Sequence, residues 1–389
     1  MVTEKVSRIP SFIVMDVLEE ANRLERQGKE VIHLEIGEPD FDTPEFIKEE
    51  AVKAIAEGMT HYTDTQGIPE LRSAIATHYL SKYGVKIDPE NVIVTLGTSP
   101  ALFMILSALV EKNDEVIITD PGYACYKNMI EFVSGKPVAV PVYDDEGYLI
   151  DPDRLKKLIT KKTRAIIINS PSNPTGTTLT RENLQELALM SEKYGFYLIS
   201  DEIYHGLNFA GKDISALEVS PHAIVINGFS KTYAMTGWRL GYLIAPKEII
   251  EPLKRVHQNL FICAASFTQK AAVRALEAGE KFVKEMVTEY RRRRDYLLPE
   301  LRRLGFEIKT EPQGAFYIMA GIKRFGLSSV EFAHKLLCEA GVAVTPGIDF
   351  GSNGEGYVRF SYANSLENLK KAVAKIERFL KEGTGKNES

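Results

Sequence analysis

One lysine and one arginine stand together in the longest of four polar, glycine-containing segments of the chain. Lys231 lies in NGFSKTYAMTGWRLGY (227–242), and its amine could form a Schiff base with an aldehyde. Arg239 follows eight residues later, near enough along the chain to bind an anion beside that lysine. The other three segments are LGTSPAL (96–102), NSPSNPTG (169–176) and SDEIY (200–204).

Several common ligand sites are missing from the sequence. No GxGxxG follows the first strand and no GxxxxGK[ST] occurs, so neither a nicotinamide-binding fingerprint nor a Walker A loop is predicted. The seven histidines form no HExxH or other compact metal-ligand spacing. Cys125, Cys263 and Cys338 are too few and too scattered for a disulfide scaffold or a zinc site, and they fit a reducing compartment. We therefore expect no metal at the site.

The four segments lie where the predicted strands of an α/β domain end. Apolar runs rich in β-branched residues predict strands buried on both faces, over 92–95, 115–119, 165–169, 197–200, 223–227 and 240–245. Amphipathic stretches between them predict helices over 69–83, 101–110, 151–159 and 181–194, the last one with Thr180 as its N-cap. Ligands bind at the carboxyl ends of the strands in open α/β sheets, so the segments are expected to form one active site.

Both ends of the chain predict a second, smaller α+β domain. Helices are expected over 14–26, 281–304 and 366–381, with short strands over 314–319, 342–345 and 357–362. We place the large domain at residues 43–283 and the small domain at residues 1–42 and 284–389. The length of 389 residues is consistent with two domains.

Composition and charge exclude several classes of partner. The chain has 48 Lys and Arg against 53 Asp and Glu, and a net charge of −5 argues against a large nucleic-acid footprint or a polybasic membrane surface. The N-terminal MVTEKVSRIPSF lacks the apolar core of a secretory signal. The longest apolar run, 101–110, is far shorter than the ~18 residues that a membrane span needs. We expect a cytoplasmic protein without nucleic-acid or membrane partners.

Six motifs spread over nearly the whole chain resemble those of the class I/II aminotransferases, which are pyridoxal-phosphate enzymes of fold type I. They are GEPDFDTP (37–44), HYTDTQGIPELR (61–72), NSPSNPTG, SDEIY, SKTYAMTGWRLGY (230–242) and RFSYANS (359–365). Each motif alone is a weak signal, and the whole set is specific. The resemblance implies a mainly parallel central sheet in a large cofactor-binding domain, a small α+β domain, bound pyridoxal 5′-phosphate, and a homodimer with shared active sites.

The resemblance also implies the catalytic residues. Lys231 matches the lysine that holds the cofactor as a Schiff base and, once displaced by substrate, shuttles the proton between Cα and the cofactor's C4′. Asp201 matches the partner of the pyridine nitrogen, where a carboxylate favours the protonated ring that acts as an electron sink. Tyr204 would donate to the cofactor's phenolic oxygen and hold the pKa of the Schiff base low, and Asn173 would contact the same oxygen.

Further residues are implied in cofactor binding. Arg239 would make a bidentate contact to the phosphate, beside backbone N–H groups at the start of a helix. Tyr123 matches the aromatic residue that stacks on the pyridine ring. Tyr62 matches the tyrosine that reaches the phosphate of the neighbouring subunit's cofactor, which requires a dimer. The remaining implied phosphate contacts are Gly97, Thr98, Ser99 and Ser230.

The resemblance places the substrate between the two domains. Arg359 would bind the substrate α-carboxylate as a planar fork, and Gly37 would touch the same carboxylate through its backbone. Asn173 would border substrate as well as cofactor. Because Arg359 lies on a small-domain strand, substrate binding would draw the domains together and exclude water.

The implied reaction moves an amino group from an L-amino acid to a 2-oxo acid, 2-oxoglutarate by family habit, with ping-pong kinetics. The donor stays open among alanine-like, aromatic or apolar amino acids and aspartate. Ser99 stands where some aspartate-specific relatives carry a lysine, and the segment 12–15 could suit an apolar side chain. Two alternatives on the same scaffold are a β-lyase and a non-enzymatic cofactor-binding regulator.

Overall fold

The structure, a computed structural model, describes residues 2–7 and 9–384. Its strands are β1 Ile32–His33, β2 Val92–Thr95, β3 Glu115–Asp120, β4 Lys136–Pro141, β5 Thr163–Asn169, β6 Tyr197–Asp201, β7 Ile224–Gly228, β8 Gly241–Ile244, β9 Tyr317–Gly321, β10 Val342–Ala343, β11 Thr345–Pro346 and β12 Tyr357–Ser361. Its α-helices are α1 Glu4–Ser7, α2 Ile13–Arg26, α3 Glu45–Ala56, α4 Pro69–Tyr83, α5 Thr98–Leu109, α6 Cys125–Phe132, α7 Pro152–Leu158, α8 Arg181–Tyr194, α9 Lys247–Leu260, α10 Ser266–Ala278, α11 Glu280–Arg303, α12 Ser329–Lys335 and α13 Leu366–Thr384. Across these two stretches, no helix is long and apolar enough to cross a bilayer.

A seven-stranded sheet lies at the centre of the larger part of the fold. Its strand order is β2-β8-β7-β6-β5-β3-β4, with β8 antiparallel to both neighbours and the other pairs parallel. Side chains of successive residues enter different apolar cores, because Ile166 and Ile168 of β5 pack in one and Ala165 and Ile167 in another. The strands are thus covered on both faces, and the predicted mainly parallel α/β sheet is confirmed.

The remaining strands come from both ends of the chain. β11, β12 and β9 form an antiparallel sheet, and β1 pairs in parallel with β10, which joins the N-terminal segment to the C-terminal third. α11 and α13 pack against each other in this part of the fold. Its core contains the fully buried aromatic side chains of Tyr290, Phe316, Tyr317, Phe360 and Tyr362. The domain division at residues 42/43 and 283/284 stays a prediction, and residues 385–389 of the proposed small domain lie outside the described residues.

Most predicted elements agree with the structure, and the differences have local causes. α4 and α8 have the predicted bounds, and Thr180 and Asn183 form a capping box at the start of α8. β4 was not predicted because Pro137 and Pro141 weaken its strand signal, but proline is tolerated in a strand at the edge of a sheet. α5 begins at Thr98 rather than at residue 101, because the first turn of a helix accepts a residue without an N–H, here Pro100.

Candidate active site

The residues that the sequence assigned to the site meet at the carboxyl end of the large sheet. β2, β5, β6 and β7 all end beside one cavity of about 470 Å³. The site residues that line it are Gly37, Thr98, Ser99, Tyr123, Asn173, Asp201, Tyr204, Ser230, Lys231, Arg239 and Arg359. Gly97 lies at its edge, next to Arg239, and Tyr62 lies outside it.

Lys231 lies in the loop that follows β7 and is partly buried. Its Nζ donates a hydrogen bond to the carbonyl oxygen of Gly37. Burial lowers the pKa of Lys231 to about 8. The Glu38 carboxylate opposes this lowering of the pKa, whereas the charges of Arg359 and Arg239 add to it. An amine with a lowered pKa is more often neutral near pH 7 and is therefore a better nucleophile.

Asp201 is the last residue of β6, and its side chain is buried at the carboxyl end of the large sheet. Burial raises the pKa of Asp201 to about 6, and two hydrogen bonds act against this shift. The Tyr126 hydroxyl donates to Oδ2 at 2.6 Å, and the Ile203 N–H donates to Oδ1 at 3.2 Å. These two hydrogen bonds hold the carboxylate in place, and its oxygens can accept a further hydrogen bond from a donor in the cavity.

Tyr204 and Asn173 lie on two neighbouring loops of the cavity, after β6 and β5. The Tyr204 hydroxyl is 2.7 Å from the hydroxyl of Tyr317, and either group could be the donor. The Asn173 N–H donates to the Asn169 side chain at 2.8 Å, and Asn173 Oδ1 accepts from Arg359 Nη1 at 2.7 Å. The loop after β5 is thereby tied to β12, as expected if Asn173 borders the substrate.

The start of α5 forms one end of the cavity, together with Arg239. The first intrahelical bond runs from Ala101 N to Gly97 O at 3.4 Å, so the N–H groups of Thr98 and Ser99 have no partner within the helix. Gly97 has a φ of +104°, and a Cβ there would lie 3.0 Å from Arg239 Nη2. Glycine at this position therefore lets the guanidinium of Arg239 approach the helix start, where both can bind one anion.

Arg359 on β12 is buried, with only 3% of its surface exposed. Its Nη2 donates to the backbone oxygen of Glu35 and to Thr345 Oγ1, the latter at 3.1 Å. Its guanidinium lies over the ring of Tyr317, 4.4 Å from the centroid, and its Nε is buried without a hydrogen-bond partner. A buried cationic donor without a partner is costly, so the site is suited to a ligand that supplies an acceptor.

Two aromatic predictions differ in outcome. Tyr123 lines the cavity and packs edge-on against Tyr126, with ring centroids 5.2 Å apart. Tyr62 is 79% exposed and contacts nothing in the cavity of its own chain. Its predicted reach into a neighbouring subunit is not tested by a single chain and stays a prediction.

Sequence reasoning missed three residues that hold the site together. They are Tyr126, which binds Asp201, Tyr317, which binds Tyr204, and Thr345, which binds Arg359. Tyr126 lies three residues after Tyr123, and this closeness along the chain was the one available signal, although Tyr123 precedes α6. Tyr317 and Thr345 have no such signal, because only the pairing of β9 and β11 with β12 brings them to Arg359.

The cavity fits pyridoxal 5′-phosphate in its donor set. A partly buried amine suits an aldehyde, a buried carboxylate with an elevated pKa suits a protonated ring nitrogen, and the start of α5 with Arg239 suits a phosphate. Gly97 has no side chain, and a Cβ there would lie 3.0 Å from Arg239 Nη2, so this glycine leaves the space beside the guanidinium open. An α/β sheet with these groups at its carboxyl end defines a pyridoxal-phosphate enzyme of fold type I.

Comparison with known proteins identifies the family. Residues 29–376 match the model of the family described as aminotransferase class I and II, and the chain belongs to this family. It is a pyridoxal-phosphate-dependent aminotransferase, as the six motifs predicted.

Three relatives show the range of similar proteins. A (5-formylfuran-3-yl)methyl phosphate transaminase of Methanocaldococcus jannaschii is 47% identical over 98% of this chain and 100% of its own length. An aromatic-amino-acid aminotransferase of Thermococcus litoralis is 43% identical over 92% of this chain and 93% of its own. A double mutant of the Thermus thermophilus aspartate aminotransferase has a solved structure with a TM-score of 0.94, at 41% identity over 97% of this chain and 99% of that one. Their names differ in substrate, so similarity alone does not select a donor.

Proposed function

We propose that this enzyme moves the amino group of an L-amino acid to a 2-oxo acid, with 2-oxoglutarate as acceptor, in a ping-pong reaction. When bound, pyridoxal 5′-phosphate supplies an aldehyde that takes up the amino group and a protonated ring that withdraws electrons from Cα. The observation that carries the proposal is that the Lys231 amine, with a pKa lowered to about 8, lines the same cavity as the buried carboxylate of Asp201.

Two residues handle the protons of the reaction. Lys231 holds the cofactor through Nζ and, once the donor has displaced it, removes the proton at the substrate Cα as a neutral amine. The lowered pKa of Lys231 supports this role, because the neutral amine is the basic form. Asp201 holds a proton on the ring nitrogen of the cofactor. Burial supports this role, because a carboxylate in a low-dielectric site gains strongly from a cationic partner.

The remaining cofactor contacts orient the group. Tyr204 and Asn173 bind its phenolic oxygen, and Tyr123 packs on its ring. The backbone N–H groups of Thr98 and Ser99 bind the phosphate together with Arg239, which the helix start and the short distance between Arg239 and Gly97 support. Ser230 adds a hydroxyl to the same end of the cavity.

Arg359 binds the α-carboxylate of donor and acceptor. Its buried Nε without a partner supports this role, since a carboxylate can accept two parallel N–H donors from one guanidinium. Gly37 touches the same carboxylate through its backbone. The 2.7 Å hydrogen bond between Arg359 and Asn173 joins β12 to the loop after β5, so a carboxylate at Arg359 would bring the two proposed domains together and exclude water.

The cavity wall favours an aromatic or aliphatic donor over aspartate. Besides Glu38, the segments around the start of α2 and after β1 contribute apolar side chains to the lining: Phe12, Val14, Met15, Leu18 and Ile36. The Asp349 carboxylate accepts hydrogen bonds from the N–H groups of Ile13 and Val14, at 3.1 and 3.4 Å, which fixes the start of α2 over the cavity. Ser99 supplies no cation for a side-chain carboxylate.

A homodimer in the cytoplasm is part of the proposal. Tyr62 lies next to exposed apolar residues, because the Thr63 N–H contacts Cys263 Sγ at 3.4 Å and Ile262 and Leu260 are 46% and 56% exposed. An exposed apolar patch of this kind is typical of a surface that a second subunit covers. Tyr62 would then extend from this patch into the partner's cavity and reach the phosphate there.

The main test is a screen of L-amino acids against 2-oxoglutarate, scored by the glutamate formed. We expect aromatic or aliphatic donors to give the highest kcat/KM, and a clear preference for aspartate would contradict the donor assignment. The screen should include (5-formylfuran-3-yl)methyl phosphate as an alternative acceptor, since one relative is named for it. Release of ammonia and pyruvate without an added 2-oxo acid would instead indicate a β-lyase.

The covalent attachment is tested on the protein itself. Borohydride reduction should fix the cofactor on the peptide that contains Lys231, and Lys231→Ala should lose both the visible absorbance and the activity. Lys161→Ala is the matched control, because Lys161 is exposed and distant from the cavity. Labelling of another lysine, or visible absorbance in Lys231→Ala, would refute the assignment.

The shared site is tested by mixing subunits. Heterodimers of Tyr62→Ala with Lys231→Ala should recover activity, because one of their two sites would have both residues intact. Mixed samples without any recovered activity would contradict a shared active site.

A further inference from the structure

Tyr317 is a fully buried tyrosine that contacts two proposed site residues at once. It is the first residue of β9, and its hydroxyl lies 2.7 Å from the hydroxyl of Tyr204. The Arg359 guanidinium lies over the face of the Tyr317 ring, 4.4 Å from its centroid. The same side chain therefore joins the proposed contact to the phenolic oxygen with the proposed binding site of the substrate carboxylate.

Counting donors determines the direction of the hydrogen bond between the two tyrosines. A tyrosine hydroxyl donates one hydrogen and accepts through its oxygen. If Tyr204 donates its only hydrogen to the cofactor's phenolic oxygen, it must accept from Tyr317. No other acceptor for the Tyr317 hydroxyl occurs among the hydrogen bonds of the described residues, so its hydrogen is free for Tyr204.

The surroundings keep Tyr317 a donor. Burial raises the pKa of Tyr317, so the hydroxyl stays protonated at neutral pH, while the Arg359 charge and the hydrogen bond with Tyr204 act in the opposite direction. Burial likewise raises the pKa of Tyr204. Two protonated hydroxyls in a dry site form a chain in which each bond strengthens the next.

The position of Tyr317 is fixed on several sides. Its backbone pairs with Ser361 in the register of β9 and β12, two residues from Arg359. Its ring packs edge-on against that of Tyr204, with centroids 5.7 Å apart. A Cβ added at Gly37 would overlap the Tyr317 hydroxyl, so glycine at residue 37 leaves the space that this hydroxyl occupies.

We propose that Tyr317 is a positioning residue for the cofactor. Its hydroxyl donates to the Tyr204 oxygen, which directs the single hydrogen of Tyr204 to the cofactor's phenolic oxygen, and its ring supports the guanidinium that binds the substrate carboxylate. This proposal rests on the role of Tyr204 stated above. If the proposal holds, β9 helps to set the pKa of the Schiff base between Lys231 and the cofactor, although this strand contains no residue of the six motifs.

The test is a pH titration of the visible absorbance of the resting holoenzyme, without substrate. A hydrogen bond to the phenolic oxygen stabilises the deprotonated form of the Schiff base between Lys231 and the cofactor. Weakening this hydrogen bond therefore raises the pH at which the Schiff base is half-protonated, which is the titration midpoint. The Tyr317→Phe substitution removes one buried hydrogen bond and keeps the ring under Arg359, and we expect the midpoint to rise by about 0.5 to 1 pH unit. The Tyr204→Phe substitution should raise it by at least as much, since it removes the direct contact.

The double variant separates the two roles. If Tyr317 acts through Tyr204, the Tyr317→Phe substitution should cause no further rise in a Tyr204→Phe background. Tyr362→Phe is the matched control, because Tyr362 is equally buried in the same core. Within the described part of the chain its hydroxyl donates only to the Ala315 carbonyl, at 3.4 Å, so the midpoint of this variant should not move. Should Tyr317→Phe yield no folded holoenzyme, Gly37→Ala displaces the same hydroxyl and should raise the midpoint in the same direction.

Three results would overturn the proposal. An unchanged midpoint in Tyr317→Phe, while Tyr204→Phe shifts it, would remove the positioning role and leave the role of Tyr204 intact. Equal shifts by Tyr317→Phe with and without the Tyr204 hydroxyl would show that Tyr317 acts by another route. No shift in Tyr204→Phe itself would refute the underlying assignment of Tyr204, and the proposal with it.

Discussion

Replacing Asp201 by asparagine should stabilise the cofactor-free protein at neutral pH and at the same time remove most of its activity. The carboxylate is buried, and among the described residues it accepts hydrogen bonds only from the Tyr126 hydroxyl and the Ile203 N–H. Its charge is therefore poorly compensated without the cationic ring nitrogen proposed to bind there. Asparagine has nearly the same shape, but its single oxygen can accept from either the Tyr126 hydroxyl or the Ile203 N–H and not from both. The substitution therefore removes the charge and one hydrogen bond, and only the loss of the charge makes its effect depend on pH.

The magnitude follows from the shift of the pKa. Burial raises the pKa of Asp201 from 3.8 to about 6. The folded state thus binds this proton more tightly than the unfolded state, and the advantage is lost as the pH rises through about 6. By linkage the ionised form costs the folded protein roughly 0.5 kcal/mol at about pH 4 and roughly 3 kcal/mol at about pH 8. Asp201→Asn avoids this cost.

The assay is thermal unfolding of both cofactor-free proteins across this pH range. For a chain of this length, roughly 3 kcal/mol corresponds to a Tm difference of about 3 to 4 °C. We expect the Tm of Asp201→Asn, relative to that of the unsubstituted protein, to be higher near pH ~8 than near pH ~4, where removal of the charge no longer offsets the lost hydrogen bond. Turnover of the cofactor-loaded variant should fall by about a hundredfold or more, because a preorganised charge at the ring is lost.

The comparison needs a control and has a clear refutation. Asp153→Asn removes an exposed carboxylate, and its Tm difference from the unsubstituted protein near pH ~8 should be smaller than that of Asp201→Asn. A Tm difference between Asp201→Asn and the unsubstituted protein that is constant from pH ~4 to pH ~8 would show that the pKa of Asp201 is not raised. Near-normal turnover in Asp201→Asn would contradict its role at the ring nitrogen.

Three further outcomes are expected. Tyr126→Phe removes the 2.6 Å hydrogen bond to Asp201 and should raise the pKa of that carboxyl by about 1 to 2 units, so that stability of the cofactor-free protein keeps falling to a correspondingly higher pH; an unchanged profile would contradict this. Cofactor attachment to Lys231 needs the neutral amine, so its rate in the cofactor-free protein should reach half its maximum at a pH of about 8, and a rate independent of pH near this value would contradict the lowered pKa. Arg359→Lys keeps the charge but loses the planar fork, and kcat/KM should fall by about ten- to a hundredfold through KM, while a fall confined to kcat would contradict carboxylate binding.

The sequence predicted the parts of the site that depend on one strand end each. Lys231, Asp201 and Asn173 follow buried apolar runs, and parallel strands bring such ends to one edge of the sheet, so their convergence needed only the strand order. The fold class was predictable for the same reason, because strands covered on both faces have continuous apolar runs.

The supporting contacts were not predictable, because they depend on packing between distant segments. Tyr317 reaches Tyr204 only because β9 pairs with β12, and the sequence of neither strand indicates which strand it pairs with. The start of α5 was misplaced because Pro100 usually marks a boundary, although the first turn of a helix accepts it. The predicted role of Tyr62 depends on contacts with a second subunit, and the order of residues in one chain does not show how two subunits pack.

The proposed binding site for the substrate carboxylate joins segments from the two ends of the polypeptide. Arg359 donates to the backbone oxygen of Glu35, 324 residues earlier, and β1 lies against β10. Arg359 follows all the proposed cofactor contacts along the chain, so a polypeptide that stops before β12 would contain the residues proposed to hold the coenzyme and lack the one proposed to bind the amino acid's carboxylate.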